Sequence, residues 1–583
     1  MDRRLALALV LTAAVVFGVP LLFPNAGPIT TAVETTVGDS LADGQPATTA
    51  ANPGGSSDTA PAPVAAAAAL GVQQGGDSVP TLPPVLAETT TVAASLSQYS
   101  FTNRGAVPLS ATLERYTSLR AGNDSQKVEL VRPGSPLMGY SLVVPGDTID
   151  LGEVNFRMER GAEAGGAPAP LLYSADVDGM LVTIAYTFRP DSYLVAVRGS
   201  VANAPARSFL MLDLPSGLES SESDVSDDQN HLGYVYKPTT DKTGDVLFRK
   251  VDPGERVLQT RPLSWVAMKN KYFVVAFLAP DDRPFDELQV TGGARTEKAA
   301  TVAHGRVITA LGDDGSFDFT IYAGPQEWRR MLALGHDFQD VNPYGGWFRV
   351  MVQPFAQIVM RMLLGLKDTT MLNYGWVLVI FGIAVRLVMW PLNQRAMRSQ
   401  LKMQRVQPEL QAVQKRFKDD PQKQQQEVMR VYKEHGMSPF SSLGGCLPMM
   451  IPMPILFALF WVFQNTIEFR GVPFLWLTDI STYDPYYIMP ILTGITSFVM
   501  SWIGLRGSPP NPQAKMFAYV MPLTFAVLFA KLAAGLHIYY AVQNLAAIPQ
   551  QWLLARERAK VRPAQPVVQS PPSTPANQRR RKG

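Results

Sequence analysis

The chain opens on an apolar run from Leu5 to Phe23, preceded by Arg3 and Arg4. Nineteen apolar residues at the helical rise cover roughly 30 Å, the thickness of a bilayer's hydrocarbon. A cleaved signal would have a shorter apolar core and a small-x-small site soon after. Here Pro20, Pro24 and Asn25 follow without an Ala-x-Ala pattern, so residues 1–24 are expected to be an uncleaved anchor. Residues 25–92 are rich in Ala, Pro, Thr, Gly and Ser, a composition that buries too little apolar surface to offset ordering entropy. They are expected to be a flexible linker.

The pattern then changes to alternation. Val182, Ile184, Tyr186 and Phe188 interleave with Thr183, Ala185 and Thr187, the period of a half-buried strand. Arg189-Pro190-Asp191-Ser192 reads as a turn, and Tyr193, Val195 and Val197 resume the alternation. Tyr272 to Leu278 and Phe317 to Tyr322 repeat the signal. Such spacing predicts packed antiparallel sheets over 93–335, with a short helix near Gln326–Gly335. From Trp347 to Leu366 the polar residues Arg349, Gln353, Gln357 and Arg361 recur every four positions in an otherwise apolar stretch. A narrow polar stripe on an apolar helix describes an interfacial segment, placed at 343–366; the alternative is a buried helix of the outer domain. Five further apolar runs, about 372–392, 444–466, 486–504, 516–533 and 535–553, bring the expected spans to six.

Charge orients them. Residues 24–346 hold 24 Lys/Arg against 38 Asp/Glu, and the rest of the chain 28 against 11. The segment 393–442 carries ten basic and five acidic residues, and 467–485 one basic and three acidic. Residues 505–515 hold Arg506 and Lys515 without an acid, and 554–583 eight basic residues and one acid. Every basic segment falls on the side of Arg3 and Arg4, so both termini are expected to be cytoplasmic and 93–335 external. The single cysteine, Cys446, excludes an intrachain disulfide and an N-terminal lipoprotein anchor.

Candidate chemistry is sparse. Arg386 lies inside an apolar run, where a guanidinium at the centre costs roughly 2.5–3.5 kcal/mol, so it faces protein or water, or snorkels to the nearby headgroups. None of the runs contains Asp or Glu, which argues against ion-coupled transport. A positive charge without a counter-ion points to a hydrated cavity that Thr524, Gln543 and Asn544 could line, although each taken singly reads better as a hydrogen bond between two helices. Within 393–442, Val406, Leu410, Val413 and Phe417 form a coiled-coil seam, and Asp419-Asp420-Pro421 starts a second helix. The resulting hairpin has Arg398, Lys402, Arg405, Lys415 and Arg416 on its exterior, beside anionic phospholipid. The tail ends in Arg579, Arg580, Arg581 and Lys582, suited to RNA phosphates, to anionic lipid or to topology control alone. No nucleotide, zinc-protease or serine-hydrolase motif occurs, and the five histidines show no metal-ligand spacing, so no catalytic residue, metal or cofactor is expected.

Taken in order, several short motifs resemble the YidC-type membrane protein insertases of Gram-negative bacteria. They are Tyr322-Ala-Gly-Pro325, Arg386 with Pro391-Leu392, Gly444-Gly-Cys-Leu-Pro448 with Met453-Pro454, Asp484-Pro-Tyr-Tyr-Ile-Met-Pro490, and Gly535 with Tyr539-Tyr540 and Asn544. The resemblance covers roughly 95–555. It implies an all-β periplasmic β-supersandwich, an inner-membrane insertase core at 367–555 and a groove containing Arg386, Tyr539 and Tyr540. It also implies nascent membrane proteins as substrates, the Sec translocon as partner, a receiving hairpin, and a basic tail at 556–583 that helps meet the ribosome. Two positions depart from the family pattern: Ala533-Ala534 replace Pro-Ser, and Gly382 stands where a polar side chain is common. Two other classes compete, a solute transporter and a sugar-active envelope enzyme built on the β domain.

Overall fold

The computed structural model describes residues 86–122, 125–163, 165–296, 299–300, 302–345, 349–418, 420–435, 453–506 and 512–560. The N-terminal anchor, nearly all of the linker, the Gly444–Pro448 motif and the tail beyond 560 lie outside the described residues.

From Thr89 to Pro325 the chain is antiparallel β. A nine-stranded sheet runs from Gly244–Leu247 at one edge, through Leu263–Lys269, Phe273–Leu278, Ser316–Pro325, Leu194–Ala202 and Met180–Phe188, to Arg157–Arg160 at the other. A six-stranded sheet containing Gly139–Val144, Phe209–Asp213 and Ala303–Ala310 faces it. The alternation read from the sequence is the register observed: Val182, Ile184, Tyr186 and Phe188 are buried, and Val195 pairs with Phe188 across the turn.

Polar contacts between the two sheets hold their alignment. The Tyr186 hydroxyl lies 2.8 Å from that of Tyr140 and donates to Ala106 O at 2.7 Å. Tyr234 Oη contacts Pro215 O and Ala303 O, and accepts from Gly305 N at 2.9 Å. A Cβ at Gly305 would sit 2.6 Å from the Tyr234 ring, so the close approach of the sheets requires glycine there.

The domain begins earlier than expected. Thr89–Ala93 pairs with Ser97–Thr102 at the edge of a four-stranded sheet. This corrects the linker boundary of 92: three β-branched threonines and Val92 carry strand propensity inside a segment whose average composition suggests disorder.

Two short helices, α1 (Val225–Gln229) and α2 (Trp328–Ala333), belong to this domain. The helical part follows: α3 (Arg349–Thr370), α4 (Tyr374–Arg416), α5 (Pro421–Glu434), α6 (Met453–Asn465), α7 (Ile488–Leu505), α8 (Pro512–Leu528) and α9 (Ala534–Lys560). Windows Tyr374–Pro391 and Ile488–Leu505 are long and apolar enough to cross a membrane; Ile455–Asn465 and Ala518–Leu528 are shorter apolar stretches.

The expected interfacial helix, α3, has three faces. Val352, Ala356, Val359, Met360 and Leu363 are buried against α4 and α6, while Val350, Met351, Phe355, Ile358 and Met362 are exposed. Between them the stripe is tied down rather than free. Arg349 Nη2 and Gln353 Nε2 both donate to the Asp340 carboxylate, and Arg361 lies 6.0 Å from the Trp328 ring. A second difference concerns α4. Its helix does not end with the apolar run near 392 but continues through Pro391 to Arg416, where α5 folds back on Val406 and Leu410 through Val431 and Tyr432.

The loop between α6 and α7, Thr466 to Tyr487, meets the β domain and the starts of α4, α7 and α9. Arg470 reaches the β domain, pairing with Glu222 at 2.7 Å and donating to Thr117 O and Ser221 O. Phe474 packs against Gly375 at the start of α4, while Ile480 O and Thr482 O accept from Gly535 N and Ala534 N at the start of α9. Asp484, fully buried, accepts from Tyr486 N and Met489 N and so caps α7. Replacing Asp484 with Ala is expected to cost about 1–3 kcal/mol, because these buried donors lose their acceptor. Differential scanning fluorimetry of the detergent-solubilised chain should show a lower melting midpoint, with Asp484→Asn falling between the two.

Candidate functional site

The candidate site is built where α4 and α9 lie side by side, an approach permitted by Gly382. A Cβ added there would stand 3.1 Å from Val542 Cγ1 and 3.7 Å from Tyr539, so the missing side chain is what lets α9 come close. The departure noted in the sequence therefore has a packing reason. The Gly382 carbonyl is used: Gln543 Nε2 donates to it at 2.8 Å, and to Tyr539 Oη at 3.0 Å. Tyr539 is buried, with ring contacts to Phe381 at 5.9 Å and Phe463 at 5.8 Å.

One turn further along α4, Arg386 is half-buried. Its Nη2 donates to Gln550 Oε1 at 2.6 Å, and Gln550 Nε2 returns a bond to Trp390 O at 3.3 Å. Gln550 is 1% exposed, so the guanidinium is held from one side by a buried amide. Arg386 Nε is buried without a hydrogen-bond partner, and no carboxylate faces the group among the described residues. A guanidinium with a donor left unpaired in a low-dielectric setting attracts negative charge or water more strongly than one on an open surface.

The expected site residues fall into three places. Arg386, Tyr539 and Gln543 share the α4–α9 seam. Asn544 faces α7, donating to Ser497 Oγ at 2.7 Å and Thr496 Oγ1 at 3.2 Å, and Tyr540 is partly buried with its ring 5.6 Å from that of Tyr539. Thr524 stands apart on α8, where its hydroxyl donates to Val520 O of its own helix at 3.0 Å. Its hydrogen bond is therefore spent on its own backbone, and the structure does not bring it to Arg386.

Gln550 was not among the sequence candidates. The available signal was spacing: Tyr539, Gln543 and Gln550 recur at intervals of four and seven, which places them on one face of a helix.

Of the basic exterior, Lys415 and Arg416 are exposed at the end of α4, with Arg416 5.5 Å from the Phe417 ring. Arg398, Lys402 and Arg405 continue the α4 backbone, but their side chains lie outside the description. Arg579, Arg580, Arg581 and Lys582 lie outside the described residues altogether. Among the described residues no group of three His, Cys, Asp or Glu side chains is placed to hold a metal.

Two family models match the chain. One described as "60Kd inner membrane protein" matches residues 365–561, and one described as "YidC periplasmic domain" matches 89–358. The chain is 32% identical over 408 residues to a membrane protein insertase YidC of Ralstonia nicotianae, covering 67% of this chain and 69% of the relative. It is 30% identical over 425 residues to a YidC of a Janthinobacterium species, covering 68% and 71%. The solved structure of an active YidC insertase with its first transmembrane domain resolved is similar over 80% of this chain and 95% of that one, at 19% identity and a TM-score of 0.31.

The seam yields a direct expectation. Gly382→Val should force α4 and α9 apart and cost about 1–3 kcal/mol. Gly365→Val on the exposed side of α3, where nothing lies within 4 Å, should leave the melting midpoint of the detergent-solubilised chain nearly unchanged. Equal midpoints for the two variants would show that the seam is not close-packed.

Proposed function

The chain belongs to the YidC family of membrane protein insertases, and on that footing we propose that it inserts nascent integral membrane proteins into the bacterial inner membrane through a polar path along the α4–α9 seam. The observation that carries this reading is Arg386: a half-buried guanidinium in an apolar helix, paired with an amide and not with a carboxylate. In a transporter such a charge would face a titrating acid, and in a purely structural role its donors would all be satisfied.

The mechanism follows from bilayer energetics. Moving a hydrophilic segment across hydrocarbon strips water from peptide groups, at several kcal/mol for each one left unpaired. A groove open from one side shortens the dry path. Arg386 draws in the acidic residues of the external segment, while Gln543, Tyr539, Tyr540 and Asn544 offer hydrogen bonds along the way. The substrate's apolar span then leaves sideways into lipid, driven by its own transfer energy, so the path requires no nucleotide hydrolysis. In this reading the chain crosses the membrane six times with both termini in the cytoplasm and the β domain in the periplasm. The hairpin of α4 and α5 receives substrate beside anionic phospholipid, the basic tail meets the ribosome, and the Sec translocon shares the larger substrates.

The test is protease protection of a one- or two-span protein presented to liposomes containing only this protein. Wild type should protect the substrate and empty liposomes should not. Arg386→Ala should lower protection of a substrate with an acidic external segment on the order of tenfold, the effect of losing about 1.4 kcal/mol of attraction. Arg386→Lys should keep most of it. If correctly oriented wild type protects nothing, the protein assists another translocon and does not insert alone.

A further inference from the structure

Within the loop from Thr466 to Tyr487, residues Phe474 to Leu477 close a two-residue hairpin. Phe474 N donates to Leu477 O and Leu477 N to Phe474 O, both at 2.9 Å. Leu475, at the first central position, takes a φ of +54°, the left-handed region that such turns fill with glycine or asparagine. A leucine there is strained and persists only where its surroundings hold it. Both sides of the hairpin are held. The Phe474 ring lies against Gly375, where an added Cβ would stand 2.1 Å from Phe474 Cδ2, and its centroid is 5.3 Å from that of Trp376. Opposite, Trp476 Nε1 donates to the buried Asp484 carboxylate at 3.3 Å.

The hairpin presents an apolar tip. Leu475 is 64% exposed, and Trp376 beside Phe474 is 50% exposed. No residue between Arg470 and Asp479 carries a charge, and those two are turned inward, Arg470 onto Glu222 and Asp479 into the loop. The height of the tip is fixed from both sides. Gly375, which seats Phe474, is the second residue of the apolar window Tyr374–Pro391, and Asp484, which holds Trp476, caps the helix that forms the window Ile488–Leu505. The tip is therefore level with the start of two windows able to cross a membrane, the depth at which tryptophan settles at the headgroups. In water a strained, exposed leucine has nothing to offset its strain; in hydrocarbon it regains its transfer free energy.

We propose that Leu475 is a lipid wedge: its side chain enters the acyl chains of the leaflet on the β-domain side, with Trp376 at the boundary beside it. The occupant is lipid because the tip offers a soluble partner no charge to match and its indole N–H is already engaged, while a wet protein interface is rich in polar contacts. Arg470, on the same loop, is seated in the β domain, so the wedge also fixes how near that domain lies to the lipid surface. The inference rests on the family reading only in taking the windows Tyr374–Pro391 and Ile488–Leu505 to cross the membrane. It does not depend on what the seam transports.

The experiment uses the full chain in phospholipid vesicles, with Cys446→Ser and one nitroxide-labelled cysteine placed in turn at Leu475, at Val388 and at Ala206. Val388 is 72% exposed within the first window, and Ala206 is exposed on the β domain. Power saturation compares collisions with oxygen, which concentrates in hydrocarbon, and with a nickel chelate, which stays in water. The oxygen-to-nickel ratio at 475 should approach that at 388 and exceed that at 206 on the order of tenfold, the preference that burying a large apolar group gives. Because the label replaces the leucine, a second measurement keeps it. Vesicles containing a phospholipid with a diazirine high on its acyl chain are irradiated, and adducts are assigned by mass spectrometry. Adducts are expected on Phe474 to Trp476, and on the order of tenfold fewer in Leu475→Asn, whose amide suits the left-handed backbone and is rejected by hydrocarbon. A label at 475 open to nickel, or one shielded from both probes by a protein partner, overturns the wedge, as do equal adducts in wild type and Leu475→Asn. Nickel access at 388 as well would overturn the membrane-crossing windows themselves. The readout involves no insertion, so it separates this idea from the proposed function.

Discussion

Arg470 enters the β domain with 3% of its side chain exposed, and the arrangement of the helices depends on the contacts it makes there. It meets Glu222, the Thr117 and Ser221 carbonyls, the Ser221 hydroxyl and the face of Phe273, 5.3 Å from its centroid. A buried ion pair adds little net stability over an apolar replacement, but removing one partner leaves a desolvated charge and is costly. The pair thus acts as a register pin. With Arg470 seated, Phe474 falls against Gly375, Ile480 and Thr482 receive the first amides of α9, and Asp484 receives those of α7. The ends of α4, α7 and α9 are fixed by one loop, so the seam containing Arg386 inherits its geometry from a contact in another domain.

Within the helices the same rule of polar satisfaction operates more economically. Gln543 meets a backbone carbonyl and a tyrosine hydroxyl, Asn544 two hydroxyls, and Gln550 a guanidinium and a carbonyl. Each amide joins two helices without introducing a charge, and among the described residues Arg386 is left as the one site in the seam where a charge is incompletely matched. That asymmetry, and not an abundance of polar groups, distinguishes the region from an ordinary helix interface.

Much of this was legible because it is local. Strand alternation at Met180–Phe188 has a period of two whatever its partner, and an arginine inside an apolar run stands out on any reading. What was missed is either long-range or masked by averages. Arg386 and Gln550 lie 164 residues apart, so their pairing follows from the packing of α4 on α9 and not from either segment alone. The Thr89–Ala93 strand was hidden by the composition of the segment before it. The loop at 466–487 carries few motif-like features beyond Asp484-Pro, yet it touches the β domain and the starts of α4, α7 and α9. The grouping of Thr524 with the seam came from its polarity; a hydroxyl bonded to its own helix needs no cavity.

The length of α4 carries a mechanical consequence. Its 43 residues make a rod about 65 Å long, more than twice the thickness of the hydrocarbon. The apolar window Tyr374–Pro391 contains Gly382 and Arg386, and the remainder, with α5 folded against it, projects beyond. A continuous helix transmits load: a push on its far end becomes torque at the fulcrum, where the glycine contact is thinnest, less the bending that Pro391 and Pro408 absorb. An incoming polypeptide that pushes on the projecting arm would therefore feel the stiffness of the seam before reaching it.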